Sequence, residues 1–579
     1  MKKLLIILTT LLLLIACGGN KKQIATAEPY VLRQTLFHNG DIITMEGEEP
    51  QYVEAVVQQE GKIVFVGDLK TAEKKYPNAT KKNLHGKTML PGFVDGHGHF
   101  VSAGQTTLFA NVMPPPDGPG KNFDELVQTV KDWMETDNGK FIIQKYGWVV
   151  ANGYDDSQLD EKTHPTKEVL DKITTEYPVI FMHQSGHLAA FNSKGIEASG
   201  YTKDTPDPKG GHIQREDDGS PNGVLEEEAY FQFFLPINTA KTDDEVKKKS
   251  VLAALKLYAS NGYTTVQDGR STPDQTGALE NAAEANELYL DVVAYPDIVW
   301  NQQAAEGKYY KADHTYYNHY RVGGVKLSLD GSPQGKTAWL TKPYFHPPHG
   351  QHADYRGFPQ HTDEEVEEYV KTAYKNHWQI LCHNNGDAAM DQYINAVEAA
   401  QKEFGYDDPR TVIIHGQTMR KDQVQRVAKN RLFVSYYPSH TFYWGDWHLE
   451  SVLGHPRADY ISPCRDAIDA GINITSHHDA PVIPPSSMRV LDAPVNRVTR
   501  SGYVLGPNQR ITVYEGLQAL TIWAANQYFE ENSKGTLSVG KLADFVILDQ
   551  NPLKVAPLTI HTIKINETIK EGEPVYKAM

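Results

Sequence analysis

Cysteine is scarce, at three in 579 residues, so nothing here reads as a disulfide framework, and no pattern places Cys382 beside Cys464. Positive charge is also in deficit: 57 Lys and Arg face 73 Asp and Glu, a formal net charge of −16. Phosphates of nucleic acid and an anionic membrane face would be repelled, and no Lys/Arg-rich run interleaved with aromatics offsets this. The apolar run Leu4 to Ile15 is too short to span a bilayer as a stable helix. Short-period repeats and low-complexity tracts are absent from the sequence. What is present is ordinary for a soluble globular protein, with 40% hydrophobic and 22% charged residues. The length exceeds one ordinary core and suggests about three to four domain-sized pieces, or one large barrel with appendages.

The first residues stand apart. Lys2 and Lys3 form a basic start, Leu4 to Ile15 an apolar stretch, and Ala16 a small residue before Cys17. LIAC followed by Gly18 and Gly19 resembles the lipobox of bacterial lipoproteins. That resemblance implies a signal peptide over 1–16, cleavage before Cys17, diacylation of its sulfur, and a polar tether over 17–29. The chain would then sit in the cell envelope, held to a membrane through the lipid at Cys17. A plain secretory signal with an incidental cysteine is the alternative, and association into a homo-oligomer stays open.

The middle of the chain reads as strands alternating with helices. Apolar runs at 90–95, 263–267, 289–294, 322–328, 378–383, 411–415, 431–436 and 472–477 read as buried strands. Amphipathic stretches at 243–260, 276–287, 363–376, 387–403 and 420–429 read as helices between them. This is the pattern of a parallel (β/α)8 barrel, placed at 90–534. A further strand-like run at 177–184 falls in a long excursion, 100–240, after the first barrel strand. That excursion also holds a hairpin-like DPKGGHIQREDDGSPNG. Strand material at 30–89 and 535–579 suggests a composite β-sandwich built from both ends.

Metal-competent side chains recur at the ends of these strands. His97 and His99 are separated by one glycine, and residues i and i+2 of an extended segment point the same way. Gly96 and Gly98 remove bulk there, which would let an ion approach the backbone. Lys326 sits in otherwise apolar company on strand 4; strands 5 and 6 end at His383 and His415; Asp479 follows strand 8. A lone histidine ending a strand is ordinarily a hydrogen-bonded rim residue. The coincidence of five contributions at the C-terminal rim, where barrel enzymes gather their catalytic groups, points to one site.

That order, HxH, Lys, His, His and Asp, resembles the amidohydrolase superfamily. More narrowly the chain is similar to the subgroup with N-substituted formamide deformylase and YtcJ-like proteins, through LPGFVDGHGH, HQSGHLAAFNS, GSPNGVLEE, KLSLDGS, HNNGD, HDAPV and GTLSVGKLADFVILDQNP. The resemblance implies a divalent metal, zinc in first place and one or two ions, held by His97, His99, His383 and His415, with Lys326 as a carbamylated ligand. It implies that Asp479 binds beside the metal and shuttles a proton, and that a small amide-type substrate is hydrolysed at a C–N bond. His187 and Asp330 would face that substrate. Ester hydrolysis or isomerisation on the same scaffold, or solute capture without catalysis, are the rival readings. Two departures stand out: His477-His478 replace the Gly-Ser usual before the aspartate, and Asn384-Asn385 follow His383. Substrate choice is expected from the excursion and from the Tyr-rich stretches 309–320 and 436–447.

Overall fold

The computed structural model describes residues 33–156, 158–186, 188–209, 211–348 and 351–579. The expected signal segment 1–16, Cys17, the tether 17–29 and His187 lie outside the described residues. Among the described residues no helix is long and apolar enough to cross a membrane.

The strands expected in the middle form the barrel. They are Phe93–Val94, Tyr263–Ser271, Asp291–Pro296, Tyr320–Val322 continued as Gly324–Ser328, Gln379–Asn384, Val412–His415, Phe433–Tyr436 and Ile474–Ser476, numbered here as barrel strands 1 to 8. All ladders among them are parallel. Strands 1, 2 and 3 and then Tyr320–Val322 follow one another in the first sheet, and Gly324–Ser328 begins the second, which runs through strands 5 to 8. Both faces of such strands are covered, which is why they read as unbroken apolar runs. The helices between them start on side-chain caps. Asp243 caps Asp244–Ser260, while Thr272 with Gln275 and Thr362 with Glu365 form reciprocal capping boxes for Pro273–Glu284 and Asp363–Lys375.

Two expectations about the entry to the barrel need correction. The run 90–95 is not one strand: Thr88–Pro91 joins the terminal sheet, and only Phe93–Val94 belongs to the barrel. Gly96 does not clear a path for an ion. A Cβ there would stand 2.8 Å from Thr475 Oγ1, so the glycine lets strands 1 and 8 approach. Their seam is closed by a side chain, with Gln527 Nε2 donating to Gly96 O at 3.0 Å and Thr475 Oγ1 donating to Gln527 Oε1 at 2.9 Å.

The excursion folds on a sheet of its own, in the order Gly211–Arg215, Pro221–Glu227, Leu188–Phe191, Val179–His183, Val149–Tyr154, Ala110–Asn111. Its core of Trp148, Val150, Phe181, Leu225 and Phe234 is separate from that of the barrel. The two chain ends meet in one eight-stranded sheet, where Thr88–Pro91 pairs antiparallel with Phe545–Leu548 and parallel with Gln34–Ile43.

Buried charges clasp this sheet to the start of the barrel strands. Asp291, the first residue of strand 3, lies 2.7 Å from Lys534 Nζ and 2.8 Å from Lys570 Nζ, and accepts from His319 Nδ1 at 2.7 Å. Burial pushes its carboxyl up, but the two lysines outweigh burial and hold it well below the usual range. Beside it Arg321, the second residue in strand 4, pairs with Glu530 at 2.8 Å. Tyr316 donates to that same Glu530 at 2.6 Å, so the Tyr-rich stretch 309–320 packs toward the strand starts, away from the mouth where it was expected. Asp291→Ala removes the carboxylate that Lys534 and Lys570 share, leaving Lys534 to Glu530 and Lys570 to Asp544 and Glu571, and the expected loss is about 3–5 kcal/mol in urea unfolding. A loss below about 1 kcal/mol would show that the clasp relaxes at no cost.

Candidate metal centre

His97 and His99 lie beyond the end of barrel strand 1, yet their imidazoles still converge, with ring centroids 5.1 Å apart. Each is aimed by a protein oxygen behind it. His99 Nδ1 donates to the Gly269 carbonyl at 2.7 Å, and His97 Nδ1 meets Gln267 Oε1 at 2.5 Å. Gln267 Nε2 in turn donates to Tyr528 OH at 2.5 Å, which leaves its amide oxygen to accept. In the neutral imidazoles these contacts place the proton on Nδ1 and turn the Nε2 lone pairs toward the mouth. Those atoms stand 3.5 Å and 3.3 Å from Asp479 Oδ1.

The second half is built the same way. His383 Nε2 donates to the Gly331 carbonyl at 3.1 Å, leaving Nδ1 bare, 2.9 Å from His415 Nε2. His415 Nδ1 faces His477 Nε2 at 3.1 Å, and His477 Nδ1 faces Ser435 Oγ at 2.9 Å. His97 and His415 are 5.6 Å apart between centroids, so one mouth holds all four rings. Lys326, buried on strand 4, reaches His97 Nε2 at 3.3 Å.

Burial sets the protonation of this group. It pushes His97, His415 and His477 well below the ordinary imidazole range, with neighbouring rings and Lys326 adding to the effect. Burial, with Lys326 second, takes His383 to about 3. Lys326 itself is pushed down to about 8 by burial, against the opposing pull of Asp479. His97, His383, His415 and His477 are therefore neutral near pH 7, the form that ligates metals.

The donor set fits a cation. His97 Nε2, His99 Nε2 and Asp479 Oδ1 lie within 4.8 Å of one another, and Asp479 Oδ1 is buried with no hydrogen-bond partner. The Lys326 amine, 3.3 Å from His97 Nε2, can donate to one of these atoms, and a cation held among them would engage all three. Ligand atoms about 2.1 Å from a tetrahedral zinc are spaced by about 3.4 Å, close to the 3.3 and 3.5 Å found here. Two of the residues involved carry backbone strain: Asp479 has φ 55° and His415 φ 74°, which costs on the order of 1–3 kcal/mol each.

Several sequence expectations land elsewhere. Asp330 does not face substrate; it is buried, and its oxygens accept the backbone N–H groups of Asn385, Gly386 and Trp339 at 3.0, 2.7 and 3.0 Å. Burial outweighs those bonds and raises its carboxyl to about 7. Its work is to shape the loop after strand 5. His478 points away from the mouth, its Nε2 3.2 Å from Asp95 Oδ1. His477, the other departure, stands behind His415 and stacks on Tyr437 at 5.1 Å. Gly98 gives room to Tyr258, Asp95 and His478, each within 2.9 Å of where its Cβ would be. Cys382 and Cys464 are buried free thiols. Gln267 and Arg270 went unnoticed in the sequence, although a Gln-Asp-Gly-Arg run closing an apolar strand was a usable signal.

Residues 82–576 match the Amidohydrolase family. YtcJ of Bacillus subtilis (strain 168) is 26% identical over 94% of this chain and 99% of its own length. The N-substituted formamide deformylase of Arthrobacter pascens is 23% identical over 93% of this chain and 98% of its own. An uncharacterized metal-dependent hydrolase from Pyrococcus furiosus superposes with a TM-score of 0.70 at 25% identity, covering 90% of this chain and all of that one, at 100%.

Proposed function

This chain belongs to the amidohydrolase family, and from that premise we propose that it is a metal-dependent hydrolase cleaving a C–N bond in a small amide, N-acyl or N-formyl substrate. The carrying observation is Asp479 Oδ1, without a hydrogen-bond partner and flanked at 3.3 and 3.5 Å by the Nε2 atoms of His99 and His97. Similarity to a formamide deformylase along nearly both whole chains supports the C–N bond.

A divalent ion, zinc in our reading, would be held by His97, His99, His383, His415, Lys326 and Asp479, where it would lower the pKa of water and polarise the scissile carbonyl. The chain's own residues supply the rest. Asp479 takes a proton from the attacking water as the C–O bond forms, then delivers it to the nitrogen as the C–N bond breaks, giving an acid and an amine. Its φ of 55° turns the carboxylate off strand 8 toward His97 and His99. His477 orients His415, and Gln267 orients His97, so the rings need not reorganise during reaction. Lys326, at about 8, is part neutral amine near pH 7, the form that adds to carbon dioxide to give a carbamate. We further propose that Cys17 carries the lipid that anchors the enzyme in the envelope.

Matched amide and ester substrates sharing one acyl group test the reaction. Release of amine by the metal-loaded protein is expected at a rate abolished by chelation. Turnover of the ester alone would replace the C–N reading with the ester-hydrolase alternative.

A further inference from the structure

Barrel strand 2 ends in a feature the metal centre does not use. Its pairing with strand 3 shifts register between Gly269 and Ser271, and the residue between them, Arg270, has φ 57°. A bulge with a left-handed non-glycine residue re-aims a side chain at a cost, and such features gather at functional sites. Strand alternation would send Arg270 outward with Asp268, whose carboxylate receives Val101 N at 2.9 Å.

Arg270 is instead caught by Asp297, just past the end of strand 3. Asp297 is 2% exposed; its Oδ2 accepts Arg270 Nε at 2.9 Å, while its Oδ1 accepts Val299 N and Trp300 N at 2.8 and 3.2 Å. One buried carboxylate thus positions both the guanidinium and the Trp300 backbone. The Trp300 ring lies over the guanidinium, 4.4 Å from centroid to Cζ, and is itself 54% exposed. The module is tied to the centre, since Ile298 N donates to the Lys326 carbonyl at 2.9 Å. The charge of Arg270 also reaches Lys326 and His383, adding to the effect of burial in lowering both.

With Nε committed to Asp297, the two Nη groups remain for a ligand, on a side chain 33% exposed. Two parallel N–H groups match a carboxylate in a bidentate fork. In a chain of net charge −16, a fixed cation beside the site is a selective feature. We propose that Arg270, aimed by Asp297 and covered by Trp300, binds a carboxylate on the substrate, so that the preferred substrates are N-acyl amino acids. The inference rests on the amide-hydrolysing reading for its substrate class.

The test pairs N-acetyl amino acids of both hands with their carboxamides, which lack the charge, on wild-type, Arg270→Gln and Arg270→Lys holoenzyme. Binding of the same compounds is followed by calorimetry. Wild type is expected to favour the carboxylates. Arg270→Gln should raise KM for them about 10- to 100-fold with kcat little changed, and leave the carboxamides within about threefold. Arg270→Lys should recover part of the loss, because it keeps the charge without the fork. Equal loss on both substrate types would make Arg270 a structural residue and overturn the proposal. Turnover indifferent to the carboxylate would overturn it too, leaving amide hydrolysis intact. Carboxylate binding that depends on Arg270 without any amide cleavage would uphold the anion site and remove the hydrolytic reading instead.

Discussion

Asp479→Asn is expected to keep its metal and lose turnover by about a thousandfold, within the range contributed by a positioned acid–base group. The substitution isolates the proton. Asparagine is nearly isosteric and keeps an oxygen that can face the centre. It also tolerates the left-handed backbone that this position adopts, with φ 55°, so the turn into Ala480-Pro481 stays as it is. What is lost is the ability to accept a proton from water and return it to the leaving amine. Metal content per chain, measured beside kcat, separates the outcomes. A rate within tenfold of wild type would remove Asp479 from proton transfer. Loss of metal together with rate would make it chiefly a ligand.

Exhaustive chelation should lower activity at least about a thousandfold, since polarising the carbonyl and acidifying the water each contribute several kcal/mol. Zinc or manganese should restore it. Two imidazole nitrogens and a carboxylate oxygen crowd one point, 3.3 and 3.5 Å from nitrogen to oxygen, where a cation would bind all three. His383→Ala should resist restoration, because its Nδ1 and His415 Nε2, 2.9 Å apart, form the other side of the mouth. Full activity after verified metal removal would end the metallohydrolase reading.

How much of this was legible in advance varies by element. The barrel strands were readable because parallel strands covered on both faces leave unbroken apolar runs, and a polar residue closing such a run is conspicuous. His383 and His415 were found that way, at the ends of Gln379–Asn384 and Val412–His415. The excursion sheet was only partly readable, since Val179–His183 resembles a barrel strand in composition and differs only in its partners. The Tyr-rich stretch 309–320 misled because tyrosine suits both a binding mouth and a buried hydroxyl contact, and here Tyr316 serves the clasp through Glu530.

By itself the sequence determined which residue types arrive at the mouth, because their spacing along strands and turns follows from local backbone geometry. It also determined the alternation of strand and helix that makes a barrel. Tertiary structure decided what each arrival does. The tautomers of His97 and His99 depend on Gln267 and Gly269, each of those bonds spanning 170 residues. His477 became the support of His415, Asp330 a bracket for backbone N–H groups, and Arg270 a cation re-aimed by a bulge. None of these follows from periodicity, because a hydrogen-bond partner brought in from a distant strand, or a residue in a left-handed turn, leaves no period to read.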